Sequence, residues 1–182
     1  MAITVISTAI PDVKLIEPKV FGDARGHFFE SFNAREFKER VADVEFVQDN
    51  QSRSGNRVLR GMHYQIQHAQ GKLVRVVAGK VFDVAVDLRK SSPTFGKWVG
   101  EVLSAENQRQ LWIPPGFAHG FLVMSESADF LYKTTDFWYP EHERVLVWND
   151  PQVGIEWPLD GGFIVAPKDQ SGHTLPDLEA YP

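Results

Sequence analysis

The chain has 182 residues, of which 43% are hydrophobic; it contains no cysteine, and its formal net charge at pH 7 is −5. This length and apolar content predict one globular domain spanning residues 1–182, and the lack of cysteine excludes disulfide bonds, a thiol nucleophile and zinc–thiolate sites. The acidic balance, without a basic run, does not favour a nucleic-acid partner, although a few arginines in a cleft suffice to bind one anionic metabolite.

No apolar run of the sequence approaches the roughly 18 residues of a membrane span. The first segment, MAITVISTAIPDVKLIEP, has no basic region before its apolar residues, which argues against a signal peptide. Together with the lack of cysteine, these features predict a cytoplasmic protein with no membrane partner.

Short runs rich in β-forming residues recur along the chain between turn residues. In chain order they are residues 4–9, 13–21, 45–52, 58–65, 72–79, 80–88, 98–104, 110–115, 119–125, 128–139 and 145–150. This spacing predicts an all-β sandwich or barrel. In the run 80–88, alternation places Asp83 and Asp87 on one face of the strand, where Asp83 could orient a group in a cavity or simply face solvent.

Helix signals are few. The segment 33–41 begins with Asn33 as a candidate cap and has Glu36 three residues later, which predicts one short helix. Ser104 is a candidate cap for a single turn. The Pro- and Gly-rich tail, about 161–182, is expected to wrap over the surface of the domain while still supplying site residues.

The stretch VLRGMHYQ, residues 58–65, raises a question about direction. Arg60 and His63 are three positions apart, so in an unbroken strand their side chains would point to opposite faces. Gly61 lies between them and could form a bulge that turns both toward one cavity.

The segment PPGFAHG, residues 114–120, fits P-x-G-x-x-H and resembles the second motif of cupins, which are jelly-roll β-barrels of antiparallel strands. The region of the first cupin motif retains His63 and Gly79, but Gln65 and Lys72 stand where metal ligands are expected. An ammonium group has no lone pair and repels a cation, so the sequence predicts no metal site. A lysine can instead stabilise a developing oxyanion, and a histidine can act as a base near neutral pH.

With these residues in place, the chain resembles the dTDP-4-dehydrorhamnose 3,5-epimerases, metal-free cupin-type enzymes of dTDP-L-rhamnose synthesis, from about residue 10 to residue 169. The motifs that carry the resemblance are FGDARGHFFESFN, EFVQDNQSRS, VLRGMHYQ, AQGKLVRVVAGKVFDVAVDLRKSSPTFGKWVG, NQRQLWIPPGFAHGF, FLYKTTDFWYP and VLVWNDPQVGIEWP. The resemblance implies a cofactor-independent isomerase, a nucleotide-sugar substrate, and a homodimer whose N-terminal segment lends residues to the neighbouring site.

The resemblance also implies roles for four catalytic residues. His63 would take the protons from C3 and C5 of a 4-keto sugar, and Asp169 would hold its tautomer. Tyr132 would deliver a proton from the other face of the sugar, and Lys72 would stabilise the enolate oxygen at C4.

A further set falls at substrate-contact positions of the family, with Trp138 expected to stack on the thymine ring and Arg60 and His119 expected to hold the sugar and diphosphate. The expected substrate-binding residues are Arg25, Glu30, Gln48, Asn50, Arg60, His119, Trp138, Glu143 and Lys168. His68 and the last dozen residues, 171–182, receive no role.

Other interpretations stay open at this point. The same groups would serve a mono-epimerase acting at C3 or C5 alone, and a non-catalytic nucleotide-sugar-binding cupin would keep the cavity without proton exchange. A metal-dependent cupin oxygenase is disfavoured by Lys72. Each candidate also has a structural interpretation, such as a core histidine for His63 or a half-buried strand tyrosine for Tyr132.

Overall fold

The computed structural model describes residues 3–182 and confirms the all-β architecture, with mostly antiparallel strands and few short helices. The strands are β1 (Thr4–Ser7), β2 (Lys14–Glu17), β3 (Phe21–Asp23), β4 (Gly26–Phe28), β5 (Gln48–Gly55), β6 (Val58–Gln65), β7 (Lys72–Ala78), β8 (Lys80–Asp87), β9 (Trp98–Ser104), β10 (Gln110–Ile113), β11 (Phe117–Val123), β12 (Ser127–Thr134), β13 (Glu143–Val145) and β14 (Ile164–Val165). The helices are α1 (Ala34–Arg40) and α2 (Pro167–Gln170), with a 3-10 turn at Pro140–His142.

Two sheets form the body of the domain. The first sheet has the strand order β1-β2-β10-β7-β12-β5, and the second has the order β13-β6-β11-β8-β9. Short β14 pairs in parallel with β6, and β3 and β4 form a separate hairpin. Apart from the consecutive pairs β1–β2 and β8–β9, strands that are neighbours in these two sheets are distant in sequence, as in a jelly roll.

The alternation in β8 explains how the second sheet is buried on both faces. Val81 and Ala85 belong to the core shared with the first sheet, whereas Val84 and Val86 pack on the opposite side. Full burial of such a side chain contributes roughly 1.5–3 kcal/mol. The strand can therefore be apolar at nearly every position without exposing a hydrophobic face.

The C-terminal segment supplies the cover for that opposite side. Tyr64 of β6 packs against Tyr181, and its hydroxyl donates a hydrogen bond to the Glu179 carbonyl at 2.7 Å. Isolated bridges also join Leu146 to His173 and Arg89 to Tyr181. The last dozen residues, unassigned by sequence, thus lie against the strand that carries His63.

Helix α1 covers part of the outer face of the first sheet. Asn33 caps it as predicted, because its side-chain oxygen accepts a hydrogen bond from the Glu36 N–H. Phe37 of the helix packs edge-on against Phe46 and Trp112. This aromatic cluster fixes the chain just before β5, the strand that brings Gln48 and Asn50 to the cavity.

Several of the predicted runs differ from the observed strands. The run 128–139 leaves the sheet after Thr134, and the run 145–150 overlaps β13 only at Val145. The run 13–21 is divided into β2 and β3 around Pro18, which has no N–H to donate to a sheet. The run 45–52 enters the sheet only at Gln48, because Phe46 is committed to the cluster against α1. Among residues 3–182, no helix is both long enough and apolar enough to cross a membrane.

Candidate active site

A bulge in β6 allows the side chains of both Arg60 and His63 to face one cavity. His119 of β11 is opposite His63, but Phe121 is opposite Arg60, so β6 holds one extra residue between these pairs. Gly61 has φ +123, and a Cβ placed there would lie 2.6 Å from the Cα of Gly120. Only glycine fits this close approach, and the predicted break in alternation is confirmed.

The bulge opens onto a cavity of about 370 Å³ between the two sheets. Most of the predicted site residues line it. They are Gln48, Asn50, Arg60, His63, Lys72, His119, Tyr132, Trp138, Glu143 and Lys168. Sequence reasoning missed several other lining residues, namely Gln51, Ser52, Tyr64, Gln65 and Gln70.

Asp169 stands behind His63, and the two side chains form a dyad although they are 106 residues apart. The Asp169 Oδ1 lies 2.7 Å from Nε2 of His63, and its Oδ2 accepts the Gly61 N–H at 3.1 Å. Burial alone would raise the pKa of Asp169, but the hydrogen bonds from His63 and Gly61 lower it. An ionised Asp169 keeps the proton on the His63 nitrogen that faces it and leaves the other nitrogen able to accept one.

Tyr132 reaches the cavity from the facing sheet. Its strand β12 lies between β5 and β7 in the first sheet, and its ring lines the same cavity as His63 of β6 in the second sheet. Burial raises the pKa of the Tyr132 hydroxyl, and the charge of Glu143 raises it further. The phenol therefore stays protonated at neutral pH and has a proton to give.

Three buried polar side chains, Lys72, Asp83 and His119, form what we call the cavity floor. His119 Nε2 lies 2.9 Å from an Asp83 carboxylate oxygen, and Lys72 Nζ donates to the His63 carbonyl at 3.5 Å. Burial lowers the pKa of Lys72 to about 8, against the opposing effect of the negative charge of Asp83. Asp83 is fully buried beneath His119, so its solvent-facing alternative is wrong.

The chemistry of the cavity floor suits an anion better than a metal cation. Lys72 places an ammonium group where cupin metal sites carry a ligand, and Gln65 offers an amide already bonded to backbone groups. Across residues 3–182, no three His, Cys, Asp or Glu side chains are grouped so that they could hold a metal ion.

The cavity mouth combines positive charge with an aromatic surface. The Arg60 side chain is held by its Nε–H, which donates to Ser54 Oγ at 2.9 Å. Lys168 Nζ lies 3.4 Å from the Glu143 carboxylate. Trp138 lies beside these residues and is 56% exposed, so its ring is not packed into the core.

Two predicted substrate-contact residues do not line this cavity. Arg25 lies in the turn of the β3–β4 hairpin with its side chain 90% exposed, bonded to the Asp23 carboxylate. Glu30 lines a separate small cavity beside α1. The hairpin also exposes Phe21 and Phe28, which is unusual for large apolar side chains so close together.

Comparisons with known proteins agree on one family. The model of the dTDP-4-dehydrorhamnose 3,5-epimerase family matches residues 7–177. A curated dTDP-4-dehydrorhamnose 3,5-epimerase from Pseudomonas aeruginosa is 65% identical over 175 residues, covering 96% of this chain and 97% of that protein.

Solved structures extend the similarity to the fold. A dTDP-6-deoxy-D-glucose-3,5-epimerase from Legionella pneumophila, crystallised with dTDP-4-keto-L-rhamnose, superposes with a TM-score of 0.96 at 54% identity and covers 98% of this chain and 95% of that one. A 3'-monoepimerase from Streptomyces bikiniensis, in complex with dTDP-quinovose, has a TM-score of 0.88 at 31% identity, with coverage of 93% and 87%. The chain thus shares its fold with both kinds of epimerase and has higher sequence identity to the double epimerase.

Proposed function

The chain belongs to the dTDP-4-dehydrorhamnose 3,5-epimerase family, and we propose that its cavity converts dTDP-4-dehydro-6-deoxy-D-glucose into dTDP-4-dehydro-L-rhamnose. The observation that carries this proposal is the placement of a His–Asp dyad and a protonated tyrosine on facing sheets of one cavity. Inversion at a carbon requires proton removal from one face of the sugar and proton delivery to the other.

His63 is the base in this proposal. A proton next to the C4 ketone is acidic because the resulting negative charge moves onto the ketone oxygen. The His63 nitrogen turned away from Asp169 accepts that proton, and the carboxylate of Asp169 stabilises the imidazolium that forms. The same base acts first at one carbon and then at the other.

Lys72 stabilises the negative charge that develops on the C4 oxygen. It is an ammonium ion over most of the neutral range, because its pKa of about 8 lies above pH 7. Inside a buried site, a preorganised cation stabilises an enolate more strongly than it would in water. Asp83 and His119 beneath it complete the cavity floor.

Tyr132 completes the inversion by donating its phenolic proton to the carbon from the opposite face. It then recovers a proton from solvent, and His63 releases its own, so no other reactant is consumed. In the absence of such an acid, the enolate would return to the starting sugar.

The mouth of the cavity suits the dTDP half of the substrate. Arg60 and Lys168 provide positive charge for the diphosphate, and Trp138 offers an exposed indole face on which thymine can stack. The same cavity is also lined by three residues that can form hydrogen bonds with the substrate, Gln48, Asn50 and Glu143.

We further propose a single-domain homodimer that acts in the cytoplasm. Arg25 and Glu30 lie away from the cavity of their own chain, as expected if the N-terminal segment serves the neighbouring site. The exposed Phe21 and Phe28 would then be covered by the partner. Light scattering should give about twice the 20.6 kDa mass of one chain, and cell fractionation tests the compartment.

Mixed dimers test the shared site directly. Arg25→Ala and His63→Asn homodimers should both be impaired, since each carries its defect in both sites. In a mixed dimer one site receives both defects and the other receives none, so mixing the two variants should restore activity. A mixture no more active than its components would contradict the sharing of sites.

The reaction itself is tested by proton NMR of the substrate in D₂O with the purified protein. Loss of both the C3 and the C5 proton signals supports double epimerisation. Loss of one signal alone would select the mono-epimerase activity known from the Streptomyces relative. No exchange at either carbon would overturn the proposal in favour of a binding protein or another substrate.

A further inference from the structure

Gln65 is a buried side chain whose hydrogen-bonding capacity is committed to two loops. It is 4% exposed, and its Nε2 donates to the backbone carbonyls of His68 at 2.7 Å and Phe137 at 3.1 Å. Its Oε1 accepts the Tyr139 N–H at 2.8 Å. One amide therefore joins the loop that follows β6 to the segment that follows β12.

These bonds bracket Trp138. The carbonyl of the preceding residue and the N–H of the following residue both bind Gln65, and the Trp138 N–H itself donates to Gln48 Oε1 at 3.2 Å. The indole is more than half exposed, so core packing does not set its direction. The hydrogen bonds from Gln65 and Gln48 instead hold the backbone from which the indole projects.

Gln65 is itself held firmly in place. Its backbone lies opposite Glu143 in the β6–β13 ladder, and its carbonyl accepts a hydrogen bond from the Tyr181 hydroxyl. It is the second residue after His63 on the same strand. The amide thus connects the strand that carries the proposed base with the segment that carries the proposed stacking surface.

We propose that Gln65 is a positioning residue that holds the 137–139 segment so that Trp138 can receive the nucleotide base. It sets the affinity of the site for the dTDP half of the substrate and takes no part in proton transfer. The inference rests on the proposed function, because it assumes that Trp138 stacks on thymine.

The chemistry of the position favours an amide over its close relatives. Two carbonyls require two N–H donors, and one N–H requires an acceptor. A glutamine amide supplies both donors and an acceptor oxygen from a single side chain. A glutamate carboxylate would face two carbonyl oxygens without a proton to share. A methionine of similar length would leave all three backbone groups without that partner.

The test measures dTDP affinity by calorimetry and steady-state kinetics for Gln65→Met and Gln65→Glu in the full-length protein. We expect the dissociation constant of dTDP and the KM to rise roughly threefold to tenfold, a part of what base stacking supplies. The kcat, measured at saturating substrate, should stay within about twofold of the wild-type value. Gln65→Glu keeps the acceptor for Tyr139 and provides a second variant if Gln65→Met unfolds.

Asn107 offers a matched control away from the cavity. Its side-chain amide also makes three backbone hydrogen bonds, to Val102, Ser104 and Arg109, in the turn between β9 and β10. Asn107→Leu should lower the melting temperature and leave dTDP affinity unchanged. An equal loss of affinity in this control would overturn the inference, since any loosened turn would then suffice.

Trp138→Ala distinguishes the stacking role of Trp138 from the positioning role of Gln65. It should raise the dTDP dissociation constant roughly fivefold or more, and adding Gln65→Met should then change little. If Trp138→Ala weakens binding but Gln65→Met does not, the positioning role is wrong and the stacking role stands. If Trp138→Ala has no effect, the stacking role fails and the inference fails with it. An undiminished effect of Gln65→Met in the alanine background would also overturn the inference.

Discussion

Strand β8 carries two buried aspartates in very different surroundings. Asp83 and Asp87 are four residues apart on the same face of the strand, and both are fully buried. Asp83 belongs to the cavity floor, where its hydrogen-bonding side-chain partner is His119, and burial raises its pKa. The pKa of Asp87, whose side chain is also inaccessible to solvent, shifts in the opposite direction.

Asp87 begins what we call the Asp87 loop, residues 87–97, and its carboxylate is surrounded by donors. Arg89 donates two side-chain hydrogen bonds and a backbone one, and the hydroxyls of Ser92 and Thr94 donate one each. Burial alone would raise the pKa of Asp87, but these donors together lower it to about 2. The donors around Asp87 outweigh the effect of burial and keep its carboxylate ionised.

The contrast separates a structural charge from a functional one. The Asp87 loop satisfies its carboxylate completely and so gains stability from it. The cavity floor keeps Lys72 buried with few partners, which costs stability but leaves a cation directed at the site of chemistry. Substitutions in the two regions should therefore have opposite effects on stability and activity.

Among substitutions in these two regions, the largest effect should follow Lys72→Met. Loss of the ammonium that stabilises the enolate should lower kcat about 10²- to 10³-fold, the usual cost of one oxyanion donor. The folded-state pKa of Lys72, about 8, lies below the ordinary 10.5, so burial of its charge opposes folding at pH 7. The variant should gain up to about 3 kcal/mol in unfolding free energy there.

That gain in stability has a defined pH window. It should be greatest at and below pH 8 and shrink as the pH rises toward 10.5, where the lysine of the unfolded chain also loses its proton. Denaturant titrations at several pH values measure it. A Lys72→Met protein less stable than the wild type at pH 7 would contradict the claim that the buried charge of Lys72 lowers stability.

Asp87→Ala should show the reverse pattern. Removing the carboxylate leaves Arg89 paired with Asp12 alone and takes the acceptor away from the hydroxyls of Ser92 and Thr94, so the unfolding free energy should fall by about 1–3 kcal/mol, while kcat/KM stays close to that of the wild type. In the wild type, the depressed pKa means that Asp87 contributes stability above about pH 4, which is lost as the pH falls toward 2. A normal melting temperature with reduced activity would contradict this assignment.

The pH dependence of turnover should report the cavity floor. Activity should decline as the pH rises through about 8, approaching tenfold per pH unit, because Lys72 loses the proton that makes it cationic. Initial rates across pH 6–10 at saturating substrate provide the measurement. Turnover that stays constant to pH 10 would show that the charge of Lys72 is not required.

Asp83→Asn should have the smallest effect and is the sharpest test of the floor. Its negative charge raises the pKa of Lys72, so its removal should move the alkaline limb of the activity profile to lower pH. The matched change Asp87→Asn should leave that limb in place. If the alkaline limb of the Asp83→Asn profile stays where it is in the wild type, the charge of Asp83 does not affect the pKa of Lys72.

The sequence allowed much of this site to be predicted. The all-β class followed from short runs between turns. The bulge at Gly61 followed from the spacing of Arg60 and His63, whose side chains would point to opposite faces of a regular strand. The substitution of Lys72 at a cupin ligand position indicated an anion-stabilising cavity. The dyad with Asp169 rested on family resemblance, because no local pattern joins residues 106 positions apart.

Other features depend on three-dimensional contacts that leave no periodic signal. Asp83 and Asp87 look alike in the pattern of β8, and only their neighbours from other segments distinguish them. Gln65 was noted as a missing metal ligand, but its role toward the Trp138 segment depends on loops that follow two different strands. The placement of Arg25 away from the cavity likewise requires the folded hairpin.

The central claim is that His63 removes protons and Tyr132 returns them from the other face. It is tested most directly by following deuterium exchange and product formation in the same NMR sample for His63→Asn and Tyr132→Phe. The account predicts that His63→Asn abolishes exchange at both carbons, whereas Tyr132→Phe retains some exchange but forms little product. Equal loss of exchange and product in Tyr132→Phe would contradict it.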